Sequence, residues 1–199
     1  SETHKRLLWR KAWVALARAE MRFGLVSPTQ VADLEAHSGQ VDIPRALQIE
    51  AEIHHDLMAE LRVFTEQCPL GGAILHLGAT STDIEDNTDA LRIRQSLDLV
   101  IEKLGEVLLV LADRMEANAH LTVMAFTHLQ PAEPTTLGYR LAGYAQDLLE
   151  NWKTLSEFRE KIRGKGLKGA VGSAAAYADL LGAQNLFALE DAFSRELNL

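Results

Sequence analysis

The sequence predicts an all-α fold, a small helical N-terminal domain followed by the first long helices of a central bundle. Three observations carry this expectation. The 13 glycines and 5 prolines of the 199 residues are clustered and leave long uninterrupted stretches. Between the clusters, apolar residues recur at spacings of three and four, with no β signal worth defending. From Asp83 to Ala119 only Gly105 interrupts a helical pattern, which makes a helix far longer than the usual three or four turns.

The first helix is expected from Lys5 to Phe23, ending at Gly24, where a left-handed cap costs little. Ser27-Pro28-Thr29-Gln30 has the form of a capping box with proline in the first turn, and it starts a short helix that ends near Gly39. Asp42 and Pro44 open a third helix that reads through to Gln67. The glycine-bearing connection between Pro69 and Ser81 then separates an N-terminal helical domain, residues 1–82, from an incomplete bundle domain, residues 83–199.

In the long helix Leu97, Ile101, Leu104, Leu108, Leu111 and Met115 step by alternating fours and threes, the rhythm of helices packed side by side. Val100, Val107, Leu109 and Val110 widen that stripe beyond what one neighbour can cover, so oligomerisation is expected. A second long helix places Leu137, Leu141, Tyr144, Leu148, Trp152, Leu155 and Ile162 on one side. A third runs from Ala174 through Leu186, Leu189, Phe193 and Leu197, and the stretch stops at Leu199 without a capping glycine, which reads as an imposed boundary.

A formal net charge of −8 argues against nucleic acid or an anionic membrane surface as a partner, since both demand an excess of Lys and Arg. The single cysteine, Cys68, cannot pair within the chain, and Ser1 to Trp13 lacks the layout of a secretory signal. A cytoplasmic setting is therefore expected. No apolar run is long enough to span a bilayer.

Three breaks in the helical pattern concentrate chemically able side chains. His54-His55-Asp56 puts two imidazoles about 100° apart on a helix, so at most one faces a given pocket. Adjacent histidines do not converge on one ion, and no metal site is expected. In Gly78-Ala79-Thr80-Ser81-Thr82-Asp83 a hydroxyl caps the long helix; the same free amides and the Thr80 and Ser81 hydroxyls also make an anion site. Both readings fit the spacing. In Thr127-His128-Leu129-Gln130-Pro131-Ala132-Glu133-Pro134, two prolines three apart keep His128 out of helix, on a stiff irregular segment where its tautomer can be fixed as a general acid requires. Unaided, the same residues also describe a surface-loop histidine.

The runs HHDLMAELRVFTEQCP, ILHLGATSTDIEDNTDALRIR, THLQPAEPTTLGYRLAGYAQDLL and RGKGLKGAVGSAAAY follow one another as they do in adenylosuccinate lyases. From Glu50 onward the chain resembles that family, within the superfamily of fumarase and aspartase. The resemblance implies an all-helical enzyme, assembled as a homotetramer, that needs no cofactor and releases fumarate from a succinylated purine nucleotide by β-elimination. It implies that His128 is the general acid and that Thr127 lines its pocket. It likewise implies that His54, His55, Asp56, Thr80 and Ser81 bind substrate. Ala125-Phe126 stand where many relatives have Gly-Arg, and His54 stands where Arg is common. The loop GSSxMPxKxNP, whose serine is the base in such enzymes, has no counterpart in the 199 residues, so this chain by itself is expected to be inactive. Argininosuccinate lyase, carboxymuconate cycloisomerase and a non-catalytic helical scaffold remain the alternatives.

Overall fold

A computed structural model describes all residues, 1–199, and divides them into two compact units: Ser1–Arg92 with Arg163–Leu199, and Ile93–Ile162. The division by packing crosses chain order, because the last helix returns to the core of the first.

In the first unit α1 (Glu2–Met21), α2 (Pro28–His37), α3 (Ile43–Ile53) and α4 (Asp56–Gln67) surround a core with the start of α5 (Ser81–Ala117), α7 (Ala175–Leu181) and α8 (Leu186–Leu197). The expected caps are realised. Ser27 accepts from the Gln30 amide at 3.3 Å while the Gln30 side chain accepts from the Ser27 amide at 2.9 Å. Asp42 accepts from the Arg45 amide at 3.0 Å. Gly24, at φ +76°, closes α1 after its last turn, with the Leu25 amide reaching back to the Glu20 carbonyl. Trp9, Trp13 and Leu16 of α1 meet Leu34, Phe64, Phe193 and Leu197 in one buried cluster.

The helix expected from Asp42 to Gln67 is two helices. His54 takes a left-handed conformation, φ 54°, and caps α3, while His55, extended at φ −149°, caps α4. A non-glycine residue seldom adopts such a φ, and no proline or glycine marks the place. At the chain's other end Asn198, also left-handed, caps α8, a signal that attention to glycine alone overlooks. The final helical stretch is itself broken at Gly182, between α7 and α8.

Charge is buried in this unit as well. Glu60, fully buried, accepts from Arg10 Nε at 2.6 Å and from Arg6 Nη1 at 3.1 Å, and both guanidiniums are themselves fully buried. Arg10 Nη1 also reaches Gln67 and the His37 carbonyl, and its guanidinium lies 4.6 Å from the Phe64 ring centre. This network fixes α1 against α4 through directional bonds that an apolar contact lacks.

Glu20, 1% exposed, has both carboxyl oxygens buried without a partner, and burial pushes its pKa up to about 8. In the folded chain it keeps its proton where the unfolded chain has lost it. Stability is therefore full below the ordinary carboxylate range and falls as pH climbs from about 4.5 toward 8, on the order of 1 kcal/mol per pH unit. Glu20→Gln is expected to leave the melting temperature unchanged at pH 5 and to raise it at pH 8; a scan that finds equal effects at both would disprove the buried neutral carboxyl.

The second unit holds the rest of α5, a β-hairpin and α6 (Leu137–Lys161). Here Leu97, Ile101, Leu104, Leu108, Leu111 and Met115 are the half-buried line, as the heptad rhythm predicts. The widening residues are open, with Leu109 71% and Val110 58% exposed, and of the predicted α6 stripe Tyr144 is 61% exposed. Gly138 is the one buried residue of the unit, because the start of α6 approaches the end of α5 so closely that a Cβ there would lie 2.6 Å from the Met115 carbonyl oxygen.

The all-α fold class holds, with one β-hairpin set between its two long helices. β1 (Thr122–Thr127) pairs antiparallel with β2 (Gln130–Thr136), with a bulge between Met124 and Phe126. Pro131 and Pro134, which keep His128 out of helix, stand in β2 opposite Phe126 and Met124, where an irregular segment is expected. In a two-stranded ribbon half the amides point outward, so a proline placed there loses no ladder bond. The β-branched and aromatic residues of Thr122–Thr127 are the signal that a helical reading passes over.

Candidate active site

The GATS segment and the His55 turn meet at the N-terminus of α5. Ser81 Oγ lies 3.2 Å from His55 Nε2. Nδ1 of the same ring takes the Met58 amide, at 3.5 Å, as the cap of α4. With Nδ1 accepting, Nε2 carries the proton and donates it to Ser81, which leaves the serine hydrogen free to donate to a ligand oxygen. Asp56 binds Lys5 Nζ at 3.2 Å. Burial alone would raise the Asp56 carboxyl, but the Lys5 bond, the Leu57 amide and the nearby charges of Lys5 and His55 outweigh it and hold the group below the usual range.

His54 does not share this position. Its backbone caps α3 and its side chain is exposed, so of the adjacent histidines only His55 joins the α5 terminus. Thr80 is half-buried, and its amide is taken by the Asp83 carboxylate at 3.3 Å. One of the helix-start amides expected to face a ligand is thus occupied from within, and the Thr80 and Ser81 hydroxyls remain as the more direct donors.

The same region holds groups that sequence reasoning missed. His76 sits at φ +66°, and its Nδ1 accepts from Trp13 Nε1 at 3.0 Å. Indole nitrogen only donates, so the imidazole carries its proton on Nε2. Burial, aided by the charge of His55 and opposed by that of Asp83, holds its pKa below the ordinary histidine value. The ring is a neutral donor at physiological pH. Glu85 lies in the fields of Asp56 and His55, and burial followed by the Asp56 charge raises its pKa. Neither residue has a motif of its own; a histidine two residues before the GATS glycine was the only available hint.

His128 lies in the second unit. It forms with Leu129 the two-residue turn of the hairpin, at φ 48° and 65°, closed by the Thr127 and Gln130 pair. Two successive residues in the left-handed region make a turn that normally takes Asn-Gly, so the imidazole is held on strained backbone instead of a flexible loop. His128 and Thr127 are exposed, and Leu129 is 98% exposed.

Asp33, His37 and Cys68 bring their ligand-type atoms within 4.8 Å of one another. Their bonds explain that grouping without an ion. Asp33 accepts from the Leu70 and Gly71 amides, both at 2.8 Å, and His37 Nδ1 lies 2.8 Å from the Asp33 carbonyl. Burial pushes the Cys68 thiol up to about 11, so it stays protonated.

The model of a family described as Lyase matches residues 9–188, nearly the whole chain. The chain belongs to this lyase family. Among curated members, the adenylosuccinate lyase of Schistosoma mansoni is 35% identical over 90% of this chain and 38% of its own length. That of Saccharomyces cerevisiae is 38% identical over 86% of this chain and 36% of its own. The chain spans less than half the length of these lyases. Among solved structures, the 3-carboxy-cis,cis-muconate lactonizing enzyme from Pseudomonas putida superposes with a TM-score of 0.90 at 28% identity, covering 100% of this chain and 46% of that one. A fumarate lyase from Mesorhizobium sp. BNC1 gives 0.86 at 26% identity, over 99% and 45%. No helix of this family member is long and apolar enough to cross a membrane.

Proposed function

We propose that this chain is part of an adenylosuccinate lyase, acting in the cytoplasm on a succinylated purine nucleotide and releasing fumarate by β-elimination. The observation that carries the reading is the contact of the His55 imidazole with the Ser81 hydroxyl at the start of α5, in a chain whose curated relatives named above are adenylosuccinate lyases. Elimination removes a proton beside a carboxylate, so negative charge gathers on that carboxylate before the carbon–nitrogen bond breaks. Donors fixed in advance around that charge stabilise it most. Thr80, Ser81 and the protonated Nε2 of His55 would serve as such donors, with Asp56 holding the His55 turn and His54 at its rim. His128, with Thr127 beside it, would protonate the departing nitrogen.

The homotetramer belongs to the proposal too. Its support is the second unit, whose apolar residues lie open along both α5 and α6 and find no cover within the unit. The division into residues 1–82 and 83–199 is kept as the domain plan of that assembly. The likeness to a muconate lactonizing enzyme favours, as a second reading, a cycloisomerase that works through a related carboxylate-stabilised carbanion. To decide, the 199-residue chain and the complete protein are incubated with adenylosuccinate or with carboxymuconate, and fumarate or lactone is measured. Fumarate from the complete protein alone is the expected result. Lactone without fumarate would favour the cycloisomerase, and turnover by the short chain would remove the need for a base outside it.

A further inference from the structure

The GATS turn does not hold its own shape. Asp83, two residues after it in the first turn of α5, is fully buried and gathers four hydrogen-bond donors on one carboxylate. Oδ1 accepts from the Lys168 amide at 3.0 Å and the Gly169 amide at 3.1 Å. Oδ2 accepts from Gly169 at 3.1 Å, from the Thr80 amide at 3.3 Å and from the Tyr177 hydroxyl at 3.5 Å. One turn further along the helix, buried Asn87 donates to the Gly166 carbonyl at 2.9 Å and accepts from the Gly166 amide at 3.0 Å. Lys165 Nζ adds a bond to Thr82 Oγ1 at 2.6 Å. The glycines let this follow: Gly166 and Gly169 sit at φ +79° and +70°, where a side chain would be strained. From the other side, a Cβ on Gly78 would lie 2.9 Å from both Leu180 Cδ1 and Tyr177 Cδ1, so the turn is seated on α7.

We propose that Asp83 is a positioning residue that locks the Thr80–Ser81 turn to the Lys165–Gly169 segment, so that the hydroxyls facing a substrate carboxylate or phosphate are held by a loop some 85 residues later in the chain. The proposal rests on reading that turn as the anion holder. Its physical core is that a carboxylate has only acceptors, and all four of its hydrogen-bond partners donate, while the Lys165 ammonium pairs with Oδ1 at 3.8 Å. An asparagine presents one acceptor and one donor. It can hold the loop or the turn, and not both, because its amide nitrogen must then face other N–H or O–H groups.

Two measurements test this. In the unmodified 199-residue chain, amide exchange at Thr80, Lys168 and Gly169 is expected to show protection within about tenfold of one another, because one carboxylate restrains all three. Exchange of Lys168 and Gly169 faster than Thr80 by orders of magnitude would overturn the lock, whether or not the protein proves to be a lyase. In the complete protein, Asp83→Asn is expected to lower kcat/KM about a hundredfold, with KM raised and kcat lowered by about tenfold each, since the displaced donors serve the bound carboxylate and serve it more strongly as its charge grows in the transition state. Tyr177→Phe, which keeps the ring on Gly78 and all three amides on Asp83, is expected to stay within about threefold of the parent in KM. An Asp83→Asn protein that melts lower but keeps its parent kcat and KM would reduce Asp83 to a structural residue. If the parent complete protein releases no fumarate, the functional reading falls, while the exchange measurement still decides the lock.

Discussion

Replacing His128 by Asn in the complete protein is expected to lower fumarate release by about 10²-fold to 10⁴-fold, the range lost when a positioned general acid is removed. Asparagine is the informative substitution because of the backbone. Position 128 sits at φ 48° in a two-residue hairpin turn, and Asn occupies the left-handed region more readily than other non-glycine residues. The register that pairs Thr127 with Gln130 should survive, so a loss of turnover reports the missing imidazole and not a collapsed ribbon. Alanine would confound the two. Sedimentation and circular dichroism are expected to match the parent, while kcat falls with little change in KM. Turnover within tenfold of the parent would dismiss His128 as the acid.

The second large effect concerns folding. Glu60→Ala is expected to cost about 3–5 kcal/mol, the range found when one partner of a buried ion pair is removed. Two fully buried guanidiniums depend on that carboxylate. Arg6 keeps Glu2 and Glu50, but Arg10 would retain only neutral acceptors, the Gln67 side chain and the His37 carbonyl. A positive charge would then remain in the core beside the Phe64 ring. Thermal unfolding should drop on the order of 10 °C for a chain of this size. A change below about 1 kcal/mol would mean that the guanidinium escapes to water and that the network contributes little.

These two residues differ in how far they could be read in advance. His128 stands in a proline-flanked run that resembles a known family, and the chemistry its surroundings permit could be argued from residue types. Even so, its hairpin is not legible in residue types, because a proline argues against a strand until the direction of its missing amide is known. Glu60 carried no signal. In the sequence it is one acidic residue among 28 Asp and Glu, and its partners on α1 lie more than one turn apart and 50 or more positions away.

The histidine pair shows the same limit at shorter range. A continuous helix from Asp42 to Gln67 was the natural reading, and it would have turned His54 and His55 apart by rotation alone. Instead the chain breaks between them with neither glycine nor proline, and the break carries His55 to Ser81 while His54 stays in solvent.

From sequence alone came the helical class, the caps, the heptad line of α5 and the order of motifs that marks the family. The first three follow from interactions within a few residues, where spacing translates directly into geometry, while the motif order rests on resemblance. Only the tertiary structure decided which acids are buried, which imidazole meets the serine, and how the Lys165–Gly169 segment grips the start of α5. Those outcomes depend on partners brought together from distant parts of the chain, and a buried charge is tolerated only where such partners converge.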